Sequence, residues 1–183
     1  GTMTLYQRTA GWNKFNQIYE GEPKETTYEG LKYIYFEGSN NAIVVGRDDS
    51  EMRKITIPST LPVENVNYNV VSVAKNAFQS LGIDTLIISS GVETIDRDAF
   101  NYCYNLKTVE LPSTLKTIGD NAFHNCDAIK KIELPSSLDS IGNMAFYNCD
   151  NLAIVVSRIQ NPLVISQSVF AIESNGYYDT SEA

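Results

Sequence analysis

A mainly β solenoid is the fold class this sequence predicts: stacked units of about 23 residues joined by short irregular or helical turns, behind an antiparallel N-terminal β cap. Three observations predict it. Phe78, Phe100, Phe123, Phe146 and Phe170 are separated by 22, 23, 23 and 24 residues. Further columns of like residues keep step with them. A period-two alternation closed by proline recurs once per unit, as a short strand followed by a turn would.

Immediately before each Phe stands a small or β-branched residue: Ala77, Ala99, Ala122, Ala145 and Val169. Five positions before it come Val73, Ile95, Ile118, Ile141 and Ile165, and eight before it Val70, Val92, Leu115, Leu138 and Pro162. Three positions after Phe lie Leu81, Cys103, Cys126 and Cys149. Leu106, Ile129 and Leu152 follow, then the alternating pairs Val109 with Leu111 and Ile132 with Leu134, closed by Pro112 and Pro135. A unit this short cannot bury its own apolar positions, so neighbours must stack at the strand spacing of about 4.8 Å. The pattern decays at the C-terminal end, where Glu173 replaces the Cys and Ser157 replaces Leu134. That edge is read as uncapped, and end-to-end self-association there is an expectation.

The solenoid is assigned to residues 70–183 and the β cap to residues 22–69. Within the cap, Tyr33–Phe36, Ala42–Val45 and Ile55–Ile57 alternate as an antiparallel sheet, with Gly38 to Asn41 as its first turn. Ile55, Ile57 and Pro58 also match the repeat's strand and closing proline. Pro58, however, lies 20 residues before Phe78, whereas Pro112 lies 11 before Phe123. Nine residues, roughly 62–70, are therefore inserted, and Val66–Val71 reads as an extra strand. Residues 1–21 form a separate N-terminal segment, with Trp12, Phe15 and Ile18 at helical spacing.

Composition narrows the function. With 14 Lys and Arg against 22 Asp and Glu, and no basic stripe, the chain does not read as a nucleic-acid binder or a ligand of anionic membranes. No apolar run approaches the roughly 18–20 residues of a membrane-spanning helix, so membrane insertion is not expected. No signal peptide stands in the first residues.

Hidden chemistry is the next question. The Cys residues share the repeat spacing and lack a Cys-x-x-Cys pair, and His124 is the single His, so neither zinc nor a catalytic triad is expected. Parallel stacked side chains also suit disulfide geometry poorly. The thiols are read as buried and reduced, and His124 as facing solvent. Glu110 and Glu133 occupy the same outward strand position in consecutive units, which explains them as surface charge rather than a glycosidase pair. Asp48, Asp49 and Glu51 lack the spacing of a calcium loop. No phosphate loop, nucleophile elbow or His-Glu-x-x-His run occurs. The expectation is a protein without catalytic, metal or cofactor sites.

Binding is therefore expected on the outward side of the strands. Lys54, Thr85, Thr108, Lys131 and Ile154 form one row, and Thr56, Ile87, Glu110, Glu133 and Val156 the other, with Ile154 and Val156 read as buried under the next element or else as a contact patch. Tyr102, Tyr104 and Tyr147 fall in the turns after the Phe column, as turn packing or as recognition aromatics. A protein or glycan is the expected partner.

The stretch IGDNAFHNCDAIKKIELPSS, residues 118–137, resembles the BspA-like leucine-rich repeats of bacterial surface proteins. The resemblance covers at least residues 31–170, because ITIPSTLP (55–62) and NYNVVSVAKNAF (67–78) resemble the family's N-terminal lead-in. It implies a right-handed leucine-rich-repeat solenoid, a location outside the cell or on its surface, and adhesion to host proteins, matrix or neighbouring cells. A structural spacer within a longer surface protein is the alternative. Residues 2–20 resemble the segment that closes such domains, which implies that the chain is cut from a longer array of modules; the alternative is a short amphipathic N-terminal helix that covers the first cap strand.

Overall fold

The computed structural model of the chain describes residues 23–36, 38–160, 162–174 and 177–179. The segment 1–21, read as helical from its spacing, lies outside them, as do residues 180–183. In chain order the strands are β1 (Pro23–Tyr28), β2 (Leu31–Phe36), β3 (Asn41–Arg47), β4 (Lys54–Ile57), β5 (Thr60–Val63), β6 (Val66–Val73), β7 (Thr85–Ile88) and β8 (Thr94–Ile95). They continue as β9 (Thr108–Glu110), β10 (Thr117–Ile118), β11 (Lys131–Leu134), β12 (Ser140–Ile141), β13 (Ile154–Ser157), β14 (Ile172–Ser174) and β15 (Tyr177–Asp179).

The cap is an antiparallel meander of β1, β2 and β3. β1 is a strand that the alternation argument passes over, because PKETTY carries no apolar row. Its signal lies in the turn after it: Glu29 and Gly30 both take positive φ, 50° and 76°, as a two-residue hairpin requires. The nine-residue insertion forms a second hairpin, with β5 antiparallel to β6 around Glu64 at φ 53°. β6 then runs parallel to β3 on one side and to β8 on the other, so it hands the cap's sheet on to the repeats.

From there the chain coils as a right-handed solenoid with three sides. One side is the parallel run β6, β8, β10 and β12. A second carries β4, β7 and β9 in one parallel sheet and β11 with β13 in another. β9 and β11 stay neighbours, but the strand ladder is interrupted between them. β4, which the sequence places in both the cap and the repeat, pairs in parallel with β7 and is the first rung of this side.

The third side holds the Phe turns, and no helix occurs among the described residues. The turns at Phe78, Phe100, Phe123 and Phe146 instead each place two residues at positive φ, one two positions before Phe and one two positions after. The first set is Asn76, Asp98, Asn121 and Met144, and the second Ser80, Tyr102, Asn125 and Asn148. Asn, Asp and Ser suit this region because short polar side chains tolerate it. The turn's alternate N–H groups thereby point along the axis: Phe78, Phe100, Phe123 and Phe146 donate to Ala99, Ala122, Ala145 and Val169, each at 2.8 Å.

Inside, the Phe rings form one stack with centroids 5.2–5.3 Å apart and nearly parallel planes. The Ile and Leu columns pack around it. Two hydroxyls tie successive turns together: Thr114 Oγ1 donates to Val92 O at 2.9 Å, and Ser137 Oγ donates to Leu115 O at 2.6 Å. Gly119 and Gly142 let the rungs approach. A Cβ on Gly142 would lie 2.4 Å from Asp120 N, so backbone rather than a flexible side chain would have to shift.

Candidate partner-binding face

The expected rows fall on the second side, on strands of matched register. Lys54 lies opposite Thr85 and Thr85 opposite Thr108; Thr56 lies opposite Ile87 and Ile87 opposite Glu110. After the interruption, Lys131 pairs with Ile154 and Glu133 with Val156. Thr85, Ile87 and Val156 are half-buried and the other seven exposed. Parallel pairing at the pleat period sets this alignment, since residues two apart share one side of a strand.

Charge on this side is organised by ion pairs. Lys131 Nζ lies 2.7 Å from Glu133 Oε1, and Arg158 reaches Glu133 Oε2 at 3.1 Å from the following rung. Hydrogen bonds from Lys131 and then Arg158 hold the Glu133 carboxyl below the usual range. Arg53 and Asp84 form a second bridge between rungs at 3.3 Å. Such exposed pairs contribute little to stability, but they fix which groups face outward.

The remaining candidates sort by column. Cys103, Cys126 and Cys149 are buried and free, and each Sγ lies 3.1–3.2 Å from the carbonyl of Phe78, Phe100 or Phe123 in the preceding unit. Burial pushes Cys103 up to about 11, Cys149 to about 12 and Cys126 well above its ordinary value, so the thiols stay protonated and serve as small apolar donors.

His124, expected to face solvent, is only partly exposed. It is half-buried in an aromatic ladder, 5.6 Å from Tyr102 and 5.3 Å from Tyr147 by ring centroid. Burial lowers its pKa, with Asp98 opposing. His124 and Tyr147 hold the same position in consecutive units, whereas Tyr102, at φ 61°, stands one position later in its own unit and sets its ring against His124. Tyr147 is buried, while Tyr102 and Tyr104 remain exposed as a tilted pair 5.8 Å apart.

Asp48, Asp49 and Glu51 are occupied in a local turn. Lys32 Nζ bridges to Asp48 at 3.0 Å, and Asp49 accepts from Glu51 N at 2.8 Å. Among the described residues, no group of three or more His, Cys, Asp or Glu is placed to hold a metal ion. Among them too, no helix is long and apolar enough to cross a membrane.

Parallel rungs of about 23 residues, apolar columns in register and asparagine-rich turns define a leucine-rich-repeat solenoid. The BspA type leucine-rich repeat region matches residues 71–175 in 6 copies, and the chain belongs to that family. The fold is similar to that of a leucine-rich repeat protein from Bacteroides capillosus, at 26% identity and TM-score 0.63 over 73% of this chain and 98% of that one. It is similar to the T. pallidum leucine-rich repeat protein at 25% identity and TM-score 0.55, over 72% of this chain and 71% of that one. The pneumococcal vaccine antigen PcpA shares the fold at 24% identity and TM-score 0.64, where 78% of this chain matches 40% of that one. None of the curated proteins compared with the chain matches it.

Proposed function

We infer that the chain is a non-enzymatic binding module of a secreted or surface-attached bacterial protein, and that it takes a protein or glycan partner on its strand-lined side. The observation that carries this reading is the pair of outward rows, held in register and bearing Lys54, Glu110, Lys131 and Glu133 beside Thr and Ile. A rigid surface with alternating charge and apolar contacts suits recognition, because little side-chain or backbone order is lost on binding. Catalysis fits poorly: the recurring columns are spent on packing, the thiols are protonated and the one imidazole is wedged between rings. The resemblance to BspA-like surface proteins supports the location and the adhesive role.

The test is a binding screen of the intact chain against immobilised host matrix proteins and a glycan array. A ligand should be found, and the double variant Glu110→Ala with Glu133→Ala should weaken it about tenfold or more with an unchanged circular dichroism spectrum. No binding at all would instead favour the spacer role.

A further inference from the structure

The turns that follow the Phe column carry a chemistry of their own. Residues 78–84, 100–106, 123–129 and 146–152 hold no Lys or Arg and are rich in Asn, Asp and Tyr. Lys107 and Lys130 come only after them, where the chain enters β9 and β11. On this side Tyr104 is 52% exposed and Tyr102 37%, with their rings tilted at 53° and centroids 5.8 Å apart. The turn does not call for Tyr102. Its position in the flanking units holds Ser80, Asn125 and Asn148, short polar residues that tolerate a positive φ, whereas Tyr102 takes φ 61° with a bulky side chain and gains little burial in return. Strain held for an exposed ring points to a use of that ring outside the fold itself.

Open space lies beside the pair. Gly82 holds the position of Tyr104 in the preceding unit, and among the described residues a Cβ built on it would find only Asn105 Nδ2 within reach, at 3.9 Å. The turn surface next to Tyr104 is thus a hollow floored by Gly82 and edged by an amide. In the following unit the two tyrosine positions hold Asn125 and Asp127, both half-buried. The 5.2 Å step between the Phe100 and Phe123 rings sets the distance from the tyrosine rank to this polar one.

We propose that this turn face binds a neutral glycan: one pyranose unit stacks on Tyr104 over Gly82 with Asn105 on its hydroxyls, and the next sugar along the solenoid axis reaches Asn125 and Asp127. A pyranose has a face of C–H bonds with slight positive charge and a rim of hydroxyls that both donate and accept. The first matches the negative face of a tyrosine ring, and the second the donors and acceptors of amide and carboxylate groups. A phosphorylated, sulfated or carboxylated ligand would meet Asp127 with no cation in these turns to answer it. A protein fits less well, because a stable interface takes roughly 800 Å² from each partner and the open rings belong to a single unit. Tyr102 also packs on His124 at 5.6 Å, so the aromatic pair loses little freedom on binding. The site is separate from the strand-lined side and uses none of the residues named there.

The experiment is an array of neutral oligomers of glucose, galactose, mannose and N-acetylglucosamine beside sialylated and sulfated glycans, followed by calorimetric titration of the strongest neutral probe into the full chain. Neutral probes should bind with a dissociation constant of about 0.1–5 mM, and acidic ones more weakly. Tyr104→Ala removes the stacking face, and Gly82→Leu fills the hollow from an exposed position with room for a side chain. Each should weaken binding about tenfold or more with little change in melting temperature. Tyr102→Asn installs a residue that flanking units use, so affinity should fall while the melting temperature holds or rises. Glu110→Ala with Glu133→Ala, on the strand-lined side, should bind the probe as the wild type does. Acidic glycans bound as tightly, or an affinity that survives both Tyr104→Ala and Gly82→Leu, would overturn the site. So would the absence of any neutral ligand, including the case of a matrix protein that binds through Tyr104 instead. Loss of the probe in the Glu110 and Glu133 variant would also overturn it, and would move the sugar to the strand-lined side.

Discussion

Phe123 is the point at which the solenoid's cohesion can be measured. Its ring is fully buried and stacks at 5.2 Å on Phe100 and at 5.2 Å on Phe146, with interplanar angles of 9° and 5°. Phe123→Ala opens a void between two rungs that cannot collapse, because backbone ladders hold them apart at fixed spacing. Removing a core Phe costs roughly 3–5 kcal/mol. The loss of two ring contacts, each about 0.5–1.5 kcal/mol beyond burial, places this case in the upper half of that range. For a domain of this size 1 kcal/mol shifts the melting temperature by about 2–4 °C, so a fall of roughly 8–20 °C is expected by circular dichroism. Phe170→Ala is the internal comparison. That ring is half-buried and has one stacking neighbour among the described residues, so its loss should cost less than half as much. A Phe123→Ala melting temperature within about 3 °C of wild type, or equal effects at the two sites, would refute the reasoning from stacked columns.

Three further outcomes follow from single residues. Gly142→Ala should destabilise by about 2–4 kcal/mol in urea titration, because the new Cβ meets Asp120 N at 2.4 Å and backbone must move; a loss under about 1 kcal/mol would mean that the rungs are looser than described. Met144→Asn should stabilise by up to about 1 kcal/mol, since Met144 sits at φ 56° where the other units have Asn or Asp; a lower urea midpoint would show that its apolar contacts outweigh the strain. The third concerns pH. Burial holds the His124 pKa below its ordinary value of 6.5, so the folded state binds the proton less readily than the unfolded one. The stability this contributes is complete above about 6.5 and is lost as pH falls below it. Melting temperature should therefore fall between pH 7 and 5.5, and His124→Gln should flatten that slope; an unaltered slope would exclude the imidazole as its source.

The repeat was legible because stacking makes every apolar column visible as a period. Val73, Ile95 and Ile118 had to recur in step with Phe, since each packs on its own equivalent one rung away. The Cys column followed by the same logic, and so did the outward rows, because a strand's alternation is local. Other features left weak traces or none. β1 hides behind an unpatterned sequence and is betrayed only by Glu29–Gly30, and the Asn, Asp and Ser flanking Phe mark the left-handed positions in hindsight.

The sequence by itself determined the period, the identity of the core and the absence of the common catalytic motifs, because these depend on which residues recur and at what spacing. Tertiary structure alone decided how the columns meet. It placed His124 between two tyrosines, made β6 the joint between cap and repeats, and broke the ladder between β9 and β11. It also left Val155 exposed where Ile132, one rung earlier, is buried. The reason is physical: a column's chemistry is written in one unit, but its burial depends on what packs against that unit.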